Sequence, residues 1–102
     1  MAQATALVTG GTAGIGLEIA GALAQRGMHV VLTGRDERRG ATAVTDLRRR
    51  AGHDEIEFIA VDHLTVGGNQ RLAARLGERL DRLDVLVNNV GRASLLATGR
   101  DG

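Results

Sequence analysis

Short apolar runs alternate along the chain with longer stretches in which apolar residues recur every three or four positions. Each short run has five or six residues, which is typical of strands buried on both faces of a sheet. The longer stretches have the spacing of amphipathic helices. The pattern predicts strands at residues 4–9, 28–33, 56–61 and 84–88, and helices at residues 14–26, 36–51 and 69–80.

The predicted helix ends have residues with a physical reason to be there. Gly27 and Gly52 follow the first two helices, where a left-handed residue ends a helix most easily. Asp36 stands where a carboxylate can cap the second helix. The pair Gly67 and Gly68 precedes the third helix, and each glycine would cost about 1 kcal/mol inside it. We therefore expect that helix to begin at Asn69, after a longer loop.

Strands that alternate with helices of this length predict an α/β fold with parallel strands joined by right-handed crossovers. The order of elements is β-α-β-α-β-α-β, which suits a Rossmann-type doubly wound sheet with strand order 3-2-1-4. Ligands of such sheets bind at the carboxyl ends of the strands, here between the first and the fourth. Residues 1–91 form the predicted half-domain, and residues 92–102 are predicted to be an irregular tail.

Composition narrows the function classes. The 102 residues allow one small domain, and the absence of cysteine excludes disulfides and thiolate-bound metals. A single aromatic residue, Phe58, and a net charge of +1 argue against a nucleic-acid partner. The histidines lack metal-ligand spacing, so no metal is expected. The N-terminus resembles no signal peptide and no run could span a membrane, so we expect a cytoplasmic protein without a membrane partner.

Glycines gather in residues 9–16, TGGTAGIG, directly after the first strand. Gly10, Gly14 and Gly16 have the spacing G-x-x-x-G-x-G. Glycine lets a phosphate approach the free N–H groups and the positive dipole of a helix N-terminus. The spacing G-x-G-x-x-G cannot be placed here, and the chain has no lysine for a nucleoside triphosphate loop. The turn predicts a dinucleotide pyrophosphate site; the alternative is a turn that only joins strand to helix.

Three landmarks together resemble the short-chain dehydrogenase/reductase family. They are the turn TGGTAGIG, Asp62 after the third strand, and NNVG at residues 88–91, where the family has NNAG. The resemblance implies that the three glycines shape the turn and that Thr12 and Ile15 face the phosphates and ribose. It also implies that Asp62 binds the adenine amino group. The cofactor-binding residues expected from this resemblance also include Ala13, His63, Asn89, Val90 and Gly91.

The residue at the end of the second strand decides between NAD and NADP, since it faces the adenosine ribose. A carboxylate there would accept the ribose hydroxyls and repel a 2′-phosphate. The chain instead has Thr33, Gly34 and Arg35, with no acid at the strand end. A guanidinium can form charge-assisted hydrogen bonds to a phosphate. Arg35 therefore predicts a preference for NADP, with NAD as the open alternative.

The family's catalytic residues have no counterpart. Its reaction is hydride transfer between nicotinamide and a carbonyl or alcohol, with a tyrosine and a lysine in a Y-x-x-x-K pair. This chain contains neither residue type, and Ser94 comes too soon after Gly91 to match the catalytic serine. We expect the cofactor-binding N-terminal portion of an oxidoreductase, inactive alone, that meets a small carbonyl or alcohol substrate only together with a C-terminal half.

Two alternatives stay open, a non-catalytic dinucleotide-binding module and a truncated product without function.

A further expectation follows from the predicted sheet. Without a fifth strand, the apolar fourth strand would be an unpaired edge, and unpaired edges favour self-association.

Overall fold

The computed structural model describes residues 3–12, 14–62, 66–79, 83–88 and 94–97. Within these ranges strands and helices alternate as far as the fourth strand, and a fifth strand follows. The elements in chain order are β1 (Thr5–Thr9), α1 (Gly14–Gln25), β2 (His29–Gly34), α2 (Glu37–Ala51), β3 (Ile56–Ala60), α3 (Val66–Arg79), β4 (Val85–Asn88) and β5 (Ser94–Ala97).

The strands form one sheet in the order β3-β2-β1-β4-β5, and the first four run parallel. The predicted order 3-2-1-4 is therefore confirmed. In the register between β1 and β4, Thr9 lies opposite Asn88. The last residues of these two strands are neighbours at the carboxyl edge of the sheet, which is where the sequence predicted the ligand crevice.

The segment after β4 differs from the prediction of an irregular tail. Ser94–Ala97 is a strand that pairs antiparallel with β4, with Leu86 opposite Leu96. The expectation of an unpaired β4 edge is therefore wrong, because β5 supplies partners for its backbone N–H and C=O groups. Four residues are too few to show a periodicity in the sequence. Self-association through β4 stays a prediction, but that strand has no free edge to carry it.

Apolar residues are buried on both faces of the sheet, which explains why the strands read as continuous apolar runs. Neighbouring residues in a strand point to opposite faces. Val8 and Leu32 belong to a cluster beneath α1 and α2, whereas Leu7 and Val31 belong to a second cluster beneath α3. All four are at most 5% exposed. The sheet is thus covered by helices on each side.

The predicted helix ends are confirmed for α1 and α2. Gly27 and Gly52 have left-handed φ angles of +87° and +75°. The carboxylate of Asp36 accepts hydrogen bonds from the backbone N–H groups of Arg38 and Arg39, at 2.9 and 3.2 Å. These bonds satisfy two of the N–H groups that a helix start leaves without a partner inside the helix.

The predicted start of α3 at Asn69 is wrong, because the helix begins at Val66 and includes Gly67 and Gly68. Packing outweighs the low helix propensity of the two glycines. Leu72 of α3 is 7% exposed and packs in the cluster with Ile59 and Val61. Gly68 is itself buried, and a cost of about 1 kcal/mol for each glycine is a preference that tertiary packing overrides.

Candidate functional site

Thr33 at the end of β2 holds the glycine turn in place. The backbone N–H of Gly10 donates to Oγ1 of Thr33 at 3.3 Å, and the N–H of Gly11 donates to its carbonyl oxygen at 3.2 Å. Thr33 is completely buried. On the other side, the hydroxyl of Thr9 donates to the carbonyl of Val87 in β4 at 3.4 Å. The turn is therefore tied to both strands that flank β1.

The glycines of the turn are needed for different reasons. Gly10 and Gly14 have φ angles of +66° and +60°, which other residues rarely adopt. A Cβ at Gly14 would meet no atom of the described residues within 4 Å, so among them open space lies beside its Cα. A Cβ at Gly11 would lie 2.8 Å from Cδ2 of Leu32. Gly11 thus lets the turn pack on β2, a role that the sequence analysis did not assign.

The N-terminus of α1 opens directly from this turn. In a 12-residue helix the first N–H groups have no partner inside the helix, and they carry the positive end of its dipole. The first turn of α1 contains no acidic residue. Ile15, its second residue, is 65% exposed, whereas Gly16 is buried. The open space beside Gly14 and the exposed start of α1 suit an anion such as a pyrophosphate.

Arg35 and Asp62 meet in one pocket although they follow different strands. The pocket has a volume of about 310 Å³ and lies between β3 and α3 at the carboxyl end of the sheet. Because β2 and β3 are parallel neighbours, the residues that follow them lie close together. The pocket combines a guanidinium, a carboxylate and the apolar side chains of Ile59, Val61 and Leu72. Such a lining suits a flat heterocycle attached to an anionic group.

Gly34 lies in a tight space at the end of β2. A Cβ there would lie 3.3 Å from Cγ2 of Thr12 and 3.4 Å from Cε1 of Phe58. A side chain at this position would require the methyl group of Thr12 to move by a few tenths of an ångström. The strand ends without an acid, and the first charge after it is Arg35.

A second basic pocket lies beside the turn. It has a volume of about 380 Å³ and is lined by Thr12, Arg38, Arg39 and Thr42. Nε of Arg39 lies 3.9 Å from the carboxylate of Asp36, and both side chains are largely exposed. The sequence analysis did not assign Arg38 and Arg39 to the site. The sequence shows that both arginines follow the end of β2 closely. It does not show that α2 packs close to Thr12.

The structure brings most of the predicted site residues to the carboxyl edge of the sheet. The residues so placed are Gly10, Thr12, Gly14, Ile15, Gly16, Arg35 and Asp62. Ala13, His63, Asn89, Val90 and Gly91 lie outside the described residues. Within the ranges that the structure describes, no group of three or more histidine or acidic side chains could hold a metal ion. No helix in those ranges is long and apolar enough to cross a bilayer.

Comparison with known proteins agrees with this geometry. Residues 4–100 match the family model described as short chain dehydrogenase. The human protein "Dehydrogenase/reductase SDR family member 13" is 40% identical over 90 residues, which cover 88% of this chain and 24% of that protein. A 3-oxoacyl-[acyl-carrier-protein] reductase of rhamnolipid biosynthesis from Pseudomonas aeruginosa is 41% identical over 91 residues. That match covers 89% of this chain and 34% of the reductase.

Solved structures show the same likeness. The Pseudomonas aeruginosa RhlG/NADP active-site complex superposes with a TM-score of 0.75 and 40% identity, over 87% of this chain and 35% of that one. Menthone neomenthol reductase from Mentha piperita gives a TM-score of 0.79 and 34% identity, over 87% and 32%. The chain spans about a quarter to a third of the length of the curated relatives named above. Its sequence and its fold agree that this chain belongs to the short-chain dehydrogenase/reductase family.

Proposed function

We propose that the chain is the cofactor-binding portion of an NADP(H)-dependent short-chain oxidoreductase. Proteins of this family bind a nicotinamide dinucleotide, and the preference for NADP is the further step. The observation that carries it is the end of β2, where the last residue is Gly34 and Arg35 borders the same pocket as Asp62. A 2′-phosphate would find a guanidinium there and no carboxylate at the strand end. The likeness to the Pseudomonas aeruginosa RhlG/NADP active-site complex supports this assignment.

In this proposal, different residues of the chain bind different groups of the dinucleotide. The N–H groups at the start of α1 hold the pyrophosphate, with Thr12 and Ile15 beside the phosphates and ribose. Asp62 accepts a hydrogen bond from the adenine amino group, and Arg35 binds the 2′-phosphate. By the family resemblance, Asn89, Val90 and Gly91 line the adenosine ribose, and Ala13 and His63 complete the cofactor-binding set.

The nicotinamide group supplies the hydride that is exchanged with a carbonyl or alcohol substrate. No residue of this chain is assigned to proton transfer, since tyrosine and lysine are absent from it. We therefore expect the chain by itself to bind cofactor without turning over a carbonyl substrate. Oxidation of NADPH by the chain in the presence of a panel of aldehydes and ketones would contradict this.

The experiment that tests the cofactor preference is a titration of NADPH and NADH into the wild-type chain and Arg35→Ala. A charge-assisted hydrogen bond contributes about 1.5–3 kcal/mol, so NADPH affinity should fall about tenfold to 150-fold. NADH affinity should fall far less. Arg26→Ala is the matched control, because Arg26 is exposed and follows α1 at the opposite end of the sheet. Equal losses for the two cofactors would refute the assignment of Arg35.

A further inference from the structure

The pocket between β3 and α3 extends beyond the residues that the cofactor assignment uses. Its floor consists of the apolar residues Ile59, Val61 and Leu72, which are all at most 8% exposed. Its outer wall is formed by Arg71 and Arg75 of α3. These two residues are one helical turn apart, so they lie on the same face of α3, about 6 Å from each other along its axis. Together with Arg35 they put three guanidinium groups around one pocket.

Within the part of the chain that the structure describes, the arginines of this pocket, Arg35, Arg71 and Arg75, have no ion-pair partner. Asp62 is the single acidic residue among the described residues of the lining. A contrast exists in α2, where Arg50 has Asp46 four residues before it and lies 2.7 Å from its carboxylate. Like charges one turn apart destabilise a helix slightly, so α3 gains nothing from this pair by itself.

We propose that Arg71 and Arg75 attract and retain the phosphorylated adenosine half of the cofactor by their charge. This inference rests on the proposed function and deepens it, because it adds two residues of α3 to the recognition of the same ligand. Both side chains are exposed, so they act through the field of the pocket and not through a fixed contact. A ligand that carries a 2′-phosphate and a pyrophosphate gains more from this field than one with the pyrophosphate alone.

The test uses the double variant Arg71→Gln/Arg75→Gln in the full chain, with NADPH, NADH and adenosine 2′,5′-bisphosphate as probes. The NADPH association rate and the affinity for the bisphosphate should each fall about threefold to tenfold at low ionic strength. The loss for NADH should be smaller. Raising the salt to about 0.5 M should remove most of the difference, because the Debye length then falls well below 10 Å. Thermal melting of the variant should match that of the wild type, since both side chains are on the surface.

Two further variants serve as controls. One tests whether the charge or the shape of the side chains matters, and the other tests whether the position of the charge or the overall net charge matters. Arg71→Lys/Arg75→Lys keeps the charge and should bind like the wild type; a loss equal to that of the glutamine variant would overturn the proposal. Arg26→Gln/Arg49→Gln removes the same charge from exposed residues outside this pocket and should leave binding unchanged. An equal loss of binding in this control would show that only the overall net charge matters, and it would also overturn the proposal.

The outcomes for the wild type distinguish this inference from the function on which it rests. If the wild-type chain binds NADPH and the double glutamine variant binds it equally fast and tightly at low salt, only the role of Arg71 and Arg75 is wrong. If the folded wild-type chain binds neither NADPH nor the bisphosphate, the proposed cofactor site itself is wrong and this inference falls with it.

Discussion

The two ends of the parallel sheet use polar residues in opposite ways. At the amino end, polar groups bind each other. Asp84 and Thr5 exchange two hydrogen bonds, from the N–H of Thr5 to the Asp84 carboxylate at 2.8 Å and from the N–H of Asp84 to the Thr5 carbonyl at 2.9 Å. His29 lies 2.6 Å from the carboxylate of Glu57. Arg48 donates to the carbonyl of Ile56 at 2.9 Å.

At the carboxyl end, a threonine forms hydrogen bonds to the backbone of the glycine turn. An arginine beyond it is left available to a ligand. Thr33 accepts hydrogen bonds from Gly10 and Gly11, which positions the turn. Arg35 beyond it has no ion pair among the described residues. A fold that needed these charges for stability would have paired them, as it does at the amino end. The difference indicates that substitutions at the amino end should change stability, whereas charge substitutions at the carboxyl end should change binding.

The largest effect is expected at Gly40 in α2, where one residue affects both stability and cofactor binding. An added Cβ would overlap the ring of Phe58. The same ring would lie 3.4 Å from a Cβ at Gly34, so it supports the end of β2. Gly40→Ala should lower the free energy of unfolding by about 2–3 kcal/mol through overpacking, and should also weaken NADPH binding. Chemical denaturation and NADPH titration measure the two effects.

The control for Gly40→Ala is the double variant with Phe58→Leu. The smaller side chain should make room for the new methyl group, so the double variant should lose less stability than the sum of the single variants. Additive losses would show that the ring does not limit the space at Gly40. Intact NADPH affinity in folded Gly40→Ala would show that Phe58 does not support the site.

Asp84→Ala should have the second largest effect and should change stability alone. It leaves the half-buried N–H of Thr5 without its acceptor, which costs about 1–3 kcal/mol. The folded fraction should bind NADPH with wild-type affinity, since Asp84 lies at the far end of β4. Asp84→Asn keeps a side-chain oxygen and should lose less. A fall in cofactor affinity parallel to the fall in stability would contradict the division between the two ends.

Gly14→Ala should have the smallest effect on stability and should show it together with a binding defect. An L-residue at φ +60° is strained by about 1–2 kcal/mol, and the new methyl group occupies the space proposed for the pyrophosphate. Gly77→Ala is the control, because Gly77 is an exposed helical glycine whose Cβ would meet no atom of the described residues within 4 Å. It should gain about 0.5–1 kcal/mol and bind NADPH normally. Normal binding by Gly14→Ala would argue against a pyrophosphate beside this residue.

Much of the fold could be predicted because its signals are local. Apolar runs, helical spacing and the caps Asp36, Gly27 and Gly52 involve residues close together in the chain, and the structure confirms them. The strand order followed from general rules for alternating strands and helices. The start of α3 was mispredicted for the opposite reason. Helix propensity counted against Gly67 and Gly68, but Gly68 is buried within the helix in the folded chain.

The candidate site divides in the same way. The glycine turn, Arg35 and Asp62 were predictable because each follows a strand in a recognisable local pattern. Gly11 was not, because its need for glycine comes from Leu32 on the neighbouring strand. Arg38 and Arg39 were not predicted either, because only the packing of α2 brings them to a pocket shared with Thr12.

The sequence by itself determined that this chain has a turn suited to a dinucleotide pyrophosphate and that no acid stands at the end of β2. Only the tertiary structure decided that β5 covers β4 and that Phe58 fills the space which Gly40 leaves open. It also decided that Arg71 and Arg75 share a pocket with Arg35. Local patterns report on neighbours along the chain, whereas charge and packing between separate elements exist only after the sheet has assembled.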